Sequence, residues 1–563
     1  MNNFIQSGRL AIAGLLLAAM PLVALHAQDA EFKPVAVVSV APVKKILADV
    51  QYLADAAGQT DAGRMAALLS TPFTEGIDKT RPVGVVVMTN GQEFAPTAYL
   101  PVSDFDKLLT TATEQIGPPQ DVGEGIKMFT PNQMPIFVKD AGNWAILAMD
   151  QEKLANPVGD PTVFLKDLPE QYDLALQFFP GNIPEIYRNV IVEQMKTGID
   201  LSLEQEADET DEEFAVRKQQ IADQVAEIER VFTELEDIII GWNVDATKQG
   251  TYLDIAYTGA EGSEFAKMMA LNSDLSTEFS GFTSSEAAIN FQGTQKLSEA
   301  DIARMDKQMN SVREQVIHQL ETEGDLEGDE LASAKKILDL AIDTLIETAR
   351  TGSIDSGLML DMTGGKGTFL AGAHVADGQR VEDGVKELLK LAAADGEVPP
   401  VKWDAETYQA IRLHVMQIPL DDAPPEAKDI LGENPEVILG IGEKSVYLSG
   451  GNDAMARLKK AIDASIAGSD TKVGVVQMHV AILPILKGIQ KNAPKPVPGV
   501  DAAIEALSGG ADKFLVTVDM EQRYMRLRMM LEEGVIKAIG AGVAAQNAAN
   551  AEADANFEDA PAF

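Results

Sequence analysis

The sequence predicts an α+β fold built from about five divergent β-α-β-β-α units, with antiparallel hairpins in mixed sheets and long inserted helices. Three observations point there: five hairpin signals, a helical pattern after the hairpins, and two strand–helix segments 300 residues apart that match in residue type and spacing.

In each hairpin signal, two apolar, β-rich runs flank turn residues. Ile136–Val138 and Trp144–Leu147 flank a turn through Gly142, and Ile238–Val244 and Tyr252–Tyr257 flank one ending at Gly250. Leu358–Met362 and Thr368–Ala373 flank Thr363 to Gly367, and Val437–Gly440 and Val446–Leu448 flank Ile441 to Lys444. Phe514–Val518 and Tyr524–Met529 flank Asp519 to Gln522. Helical periodicity follows at Glu261–Leu271, Val381–Ala393 and Asp453–Ile466.

The matched segments are Leu174–Phe178 with Ile183-Pro184, and Val475–Met478 with Leu483-Pro484. Each has a glutamine at the same strand position (Gln177, Gln477) and a proline in the first helical turn, where its missing N–H is tolerated. Val244-Asp245 and Val518-Asp519 close equivalent strands, Leu360-Asp361 is a looser third case, and Phe73 and Phe279 sit ahead of the first strand of two blocks. The units fall at 82–156, 172–271, 286–394, 408–467 and 472–548. They group as a first α+β half (82–271), a third unit with an inserted helical hairpin (272–394) and a last pair (395–548).

The inserted helices carry heptad-like stripes. One runs Phe214, Ile221, Val225, Ile228, Phe232, Leu235, and another Ile302, Met305, Met309, Val312, Val316, with Leu331–Ile346 continuing after an acidic loop. Two to three heptads are short for an independent coiled coil, so packing on the protein's own sheet is favoured over a partner arm. Residues 28–81 read as a helical lead-in, and 549–563 as a disordered acidic, alanine-rich tail.

Residues 1–27 read as a secretory signal peptide: Arg9, an apolar run from Leu10 to Leu25, and a small-residue cleavage site between Ala27 and Gln28. The apolar run is shorter than the roughly 20 residues a spanning helix needs. The expected product is exported, periplasmic or extracellular, with no integral span. With no cysteine anywhere, thiol catalysis, disulfides, cysteine-ligated zinc, iron–sulfur clusters and a lipobox anchor are excluded. The net charge of −41, from 87 acidic and 46 basic residues, argues against nucleic acid and against anionic membrane surfaces.

No local pattern names a reaction. His318, His374, His414 and His479 are scattered, without metal-ligand spacing. Thr363 to Thr368 looks like a phosphate loop only superficially, since Gly367 follows the lysine where Ser or Thr belongs and a strand follows instead of a helix. Glu323, Asp325, Glu327 and Gly328 imitate a calcium loop, but Ala334 stands where a bidentate carboxylate is needed. Weak calcium association there or at Glu204–Glu213 stays open. Trp144, Trp242 and Trp403 read as core or rim residues. No catalytic, metal or cofactor-binding residue is assigned, and no cofactor is expected.

The signal peptide, acidic balance and repeated α+β blocks together resemble large uncharacterised exported proteins of bacteria with repeated α+β blocks. The resemblance spans the whole chain and implies no activity. The expectation is a soluble, non-catalytic binding or structural protein of the cell envelope with an unknown protein or envelope partner. The alternative is an exported hydrolase whose carboxylates assemble from distant units.

Overall fold

The computed structural model describes residues 32–154, 160–202, 229–322, 326–362, 366–396, 398–420, 435–492 and 497–558, with isolated positions between. The cleavage pair Ala27 and Gln28, most of the acidic run 204–213 and the turn residues 363–365 lie outside them. The chain divides into two compact units, Met1–Ala260 and Glu261–Phe563.

Unit 1 holds β1 (Lys33–Val40), β2 (Val83–Thr89), β3 (Phe94–Pro101), β4 (Gln120–Asp121), β5 (Ile126–Phe129), β6 (Ile136–Asp140), β7 (Trp144–Ala148), β8 (Leu174–Phe178), β9 (Leu235–Asp245) and β10 (Gly250–Gly259). They form one sheet in the order β4-β5-β6-β7-β3-β2-β1-β8-β9-β10, every ladder antiparallel.

Unit 2 holds β11 (Leu275–Ser276), β12 (Ile289–Lys296), β13 (Ser353–Asp361), β14 (Thr368–His374), β15 (Val401–Tyr408), β16 (Ile411–Gln417), β17 (Glu436–Ile441), β18 (Ser445–Gly451), β19 (Lys472–Val473), β20 (Val476–Ala481), β21 (Lys513–Met520) and β22 (Tyr524–Glu532). Its sheet runs β15-β16-β17-β18-β14-β13-β12-β20-β21-β22, again antiparallel throughout. β11 and β19 pair separately.

The fold is thus α+β with large antiparallel sheets, and the expected mixed sheets are corrected. The helical excursions from β1 to β2 and from β12 to β13 return to the neighbouring strand in the opposite direction, so no parallel crossover arises. All five signalled hairpins pair, as β6/β7, β9/β10, β13/β14, β17/β18 and β21/β22.

The division into units differs from the expectation. A strand, a helical excursion, a hairpin and a closing helix follow one another from β1, β8, β12 and β20. The segments expected to be units at 82–156 and 408–467 instead hold a hairpin leading into the meander β4–β7, and the last three strands of the meander β15–β18. Each excursion occupies the same place in its unit, and those from β8 and β12 hold longer helices than those from β1 and β20. Residues 33–40, inside the expected helical lead-in, form β1: Val35, Val37, Val38 and Val40 are β-branched and suit a pleated surface. Helix Glu533–Glu558 continues well into the expected tail. Phe279 is buried in the unit 2 core, whereas Phe73 is exposed and follows β1 in its unit, so the two are not equivalent.

Helices Glu299–Thr322 and Gly328–Arg350 pack on each other, tied by Arg313 to Asp343 (2.5 Å) and Arg350 to Asp306 (2.6 Å). The Ile302–Val316 stripe is half-buried, which fits a helical hairpin. In unit 2 the core gathers Leu458 of helix Ala454–Ala467 with Phe279, Phe282, Leu370, Leu413 and Ile438. A Cβ at Gly372 would lie 2.6 Å from the Phe279 ring, so only glycine lets that ring seat on the strand. Gly241 does the same for Tyr172 in unit 1, where a Cβ would meet the ring at 2.4 Å.

Candidate functional site

Buried polar groups are the first place to look for chemistry. In unit 1, Asp173 is fully buried and accepts from Lys45 Nζ and from the Val244 N–H at 2.7 Å. Lys45 also donates to Asp49 (3.0 Å) and Asn243 (3.1 Å), joining helix Val43–Ala56 to β9. Burial works to lower the Lys45 ammonium, but its hydrogen bonds to Asp173 and Asp49 outweigh it and hold it above the ordinary lysine value. A lysine held charged is a poor nucleophile. In unit 2, Asp355 accepts from Thr277 Oγ1 (2.8 Å), Thr294 Oγ1 (2.6 Å) and the Glu278 N–H (2.6 Å). Both acids are committed to structural hydrogen bonds.

The second cluster surrounds His414 on β16. Its ring is 1% exposed, lies 4.9 Å from the Trp403 ring, and accepts the Asp404 N–H on Nδ1 at 2.9 Å. Nδ1 as acceptor places the proton of the neutral ring on Nε2, 3.7 Å from Glu382 Oε2. Burial pushes the imidazole below its ordinary value, against the opposing pull of Glu382. Burial works to raise the Glu382 carboxyl, but hydrogen bonds from Lys386 (2.5 Å) and Arg412 outweigh it and hold the group below its ordinary range. With its carboxylate held by two cations, Glu382 is no general base, and the His414 side chain is almost wholly buried.

This cluster predicts an acid-sensitive unit 2. A buried histidine with a depressed folded value binds fewer protons folded than unfolded, so stability rises with pH below about 6.5 and falls as pH drops through that window. The Glu382 contribution has the same direction at lower pH: it is present above the ordinary carboxyl value and lost as pH falls through the folded one. The His414 Cε1–H resonance is expected to titrate below 6.5, the ordinary value. A midpoint at or above it would contradict the assignment.

The histidines do not converge. His374 on β14 stands three strand positions from His414 on β16, and His479 on β20 three more. At about 4.8 Å per strand, that leaves roughly 14 Å between neighbours. His479 Nε2 bonds the Ala287 carbonyl at 3.0 Å, and His318 lies on helix Glu299–Thr322. Among the described residues no three His, Asp or Glu gather as a metal site. Of the calcium-like loop only Glu327 and Gly328 are described, at the start of helix Gly328–Arg350, and Glu323 and Asp325 lie outside.

The distinctive surface is apolar. In unit 1 one lateral row reads Leu147, Ala98, Val85, Val38, Leu176, Ile240, Ile255 across seven strands, each residue directly opposite the next. Beside it Val40, Leu174, Trp242 and Leu253 form a second row. Helix Phe105–Ile116 covers this face over β5, β6 and β7, packing Leu108 on Phe129, Val138 and Ala145. On β8 and β9 it is bare: Leu174 is 49%, Leu176 38%, Ile240 44% and Trp242 36% exposed. The opposite face of the same strands carries the buried Ser39, Gln177, Asn243 and Asp254.

Unit 2 repeats the pattern. Its row reads Leu439, Leu448, Ala371, Leu358, Phe291, Met478, Val516, Met529, while Asn290, Gln292, Thr294 and His479 are buried on the other face. An antiparallel sheet with one free face normally turns polar residues outward. Unit 1 does the reverse on β8 and β9, whereas in unit 2 the row is half-buried and only Leu448, 40% exposed, is bare. Contiguous bare apolar area of this kind marks an interaction surface. Trp242, expected in the core or at its rim, stands on that surface, while Trp144 is buried.

No protein-family model, curated protein or solved structure matches this chain. No helix among the described residues is long and apolar enough to cross a membrane.

Proposed function

We propose that this chain is an exported, non-catalytic binding protein of the cell envelope whose ligands are apolar small molecules. The observation that supports it is the bare patch of Leu174, Leu176, Ile240 and Trp242, four apolar side chains directly opposite one another on β8 and β9. A charge of −41 disfavours an anionic lipid surface as the occupant and favours individual neutral molecules. The shared element order and strand order of the two sheets further support a tandem duplication of one ten-stranded unit, in place of five short repeats.

Trp242 provides the test. A brominated long-chain alcohol added to the intact protein is expected to quench a saturable part of the tryptophan emission, and Trp242→Phe is expected to abolish that part. No saturable quenching up to the solubility limit of the alcohol would refute the proposal.

A further inference from the structure

Unit 2 contains a cavity of about 380 Å³ on its apolar face. Its floor is one lateral row, Leu360, Phe369, Gly450, Val437, each directly opposite the next on β13, β14, β18 and β17. Ile418, Leu431 and Pro435, from the connection between β16 and β17, line it too, with Met362 and Gly367 at the β13/β14 turn. Glu436 also borders it, but strand alternation turns its side chain to the face opposite Val437.

Two adjacent glycines differ in a telling way. Gly451 has φ +104°, and a Cβ there would lie 2.3 Å from the Gly367 carbonyl oxygen, so the backbone itself requires glycine. Gly450 has no such need. Among the described residues a Cβ there would meet Val437 Cγ2 at 3.7 Å and the Glu436 oxygen at 3.9 Å, ordinary contacts. What glycine supplies at 450 is space. A strand glycine without a conformational role marks close approach by something else. Here it leaves the hollow between Phe369 and Val437.

We infer that this hollow is a ligand site that takes the unbranched hydrocarbon chain of a neutral single-chain amphiphile. The volume lies within the range of small-molecule pockets, about 300–1,000 Å³, and is too small for a helix or a folded partner. The floor presents no charged side chain to orient a polar head, so the head remains outside and the chain enters. This rests on the proposed function and adds a second site, in unit 2, to the patch in unit 1.

Calorimetric titration of the intact protein with dodecanol tests it. The wild-type chain is expected to show two sites. Gly450→Leu fills the hollow from its floor and is expected to show one, with the Trp242 quenching by brominated alcohol unchanged. Wild-type stoichiometry in a folded Gly450→Leu chain would overturn the inference while leaving the unit 1 patch standing. Loss of Trp242 quenching alongside an intact Gly450-dependent site would instead sink the patch. Should Gly450→Leu fail to fold, Gly450→Ala adds one methyl and is expected to move the preferred alcohol to a shorter chain. An unchanged chain-length preference in that variant would overturn the inference too.

Discussion

The Leu176→Glu/Ile240→Lys double variant is expected to weaken the binding of a neutral apolar fluorophore at the unit 1 patch by at least roughly tenfold, a loss of about 1.4 kcal/mol. The two positions are directly opposite on β8 and β9, and the residues are 38% and 44% exposed. Opposite charges facing each other across an antiparallel pair attract, whereas two glutamates would repel. The charged pair therefore removes the apolar centre of the patch without unsettling the sheet. Surface substitutions of this kind typically change stability by no more than about 0.5 kcal/mol. Binding loss with an unchanged melting midpoint is the expected outcome, and unchanged binding would show that the patch is not the ligand surface.

Leu458→Ala is expected to destabilise unit 2 by about 2–5 kcal/mol, through lost transfer energy and the cavity left behind. Leu458 is completely buried among Phe279, Leu370, Leu413 and Ile438, so little can collapse into the space. Trp403 is the one tryptophan of unit 2, and its emission during urea unfolding reports the change; Trp144 and Trp242 report unit 1. A shift below about 1 kcal/mol would mean the core is loosely packed there.

Much of the architecture was legible in the residues. Turn chemistry located five hairpins, because glycine and polar residues between β-rich runs leave few alternatives. The match of Leu174–Phe178 with Val475–Met478 falls on β8 and on β20 with the residue just before it, strands that occupy the same place in their two sheets. The hairpin β2/β3 lies outside the five expected ones, although Asn90-Gly91 between Val83–Thr89 and Phe94–Pro101 is a strong turn signal. β1 was less legible because no turn signal separates this valine-rich strand from the two helices that follow it.

The candidate site was legible as a pattern but not in its sense. Segments such as Leu176-Gln177-Phe178 and Ile289–Gln292 alternate apolar residues with Gln or Asn. Such alternation normally means that the polar parity faces water. Here Gln177, Asn290 and Gln292 are buried while Leu174 and Leu176 are exposed. Periodicity reports that two faces differ and cannot say which face the helices cover, since that depends on long-range topology. The role of Gly450 was equally hidden, because its lack of side chain matters only once Phe369 and Val437 stand on either side of it.

Bare apolar sheet surface on this chain is proposed to bind apolar ligands. Crystals of the intact protein grown with a bromine-terminated dodecanol test it most directly, because bromine can be located by its anomalous scattering. Bromine peaks are expected against Leu176, Ile240 and Trp242 and in the hollow above Gly450. A fully occupied bromine peak elsewhere, with both of these places empty, would contradict it.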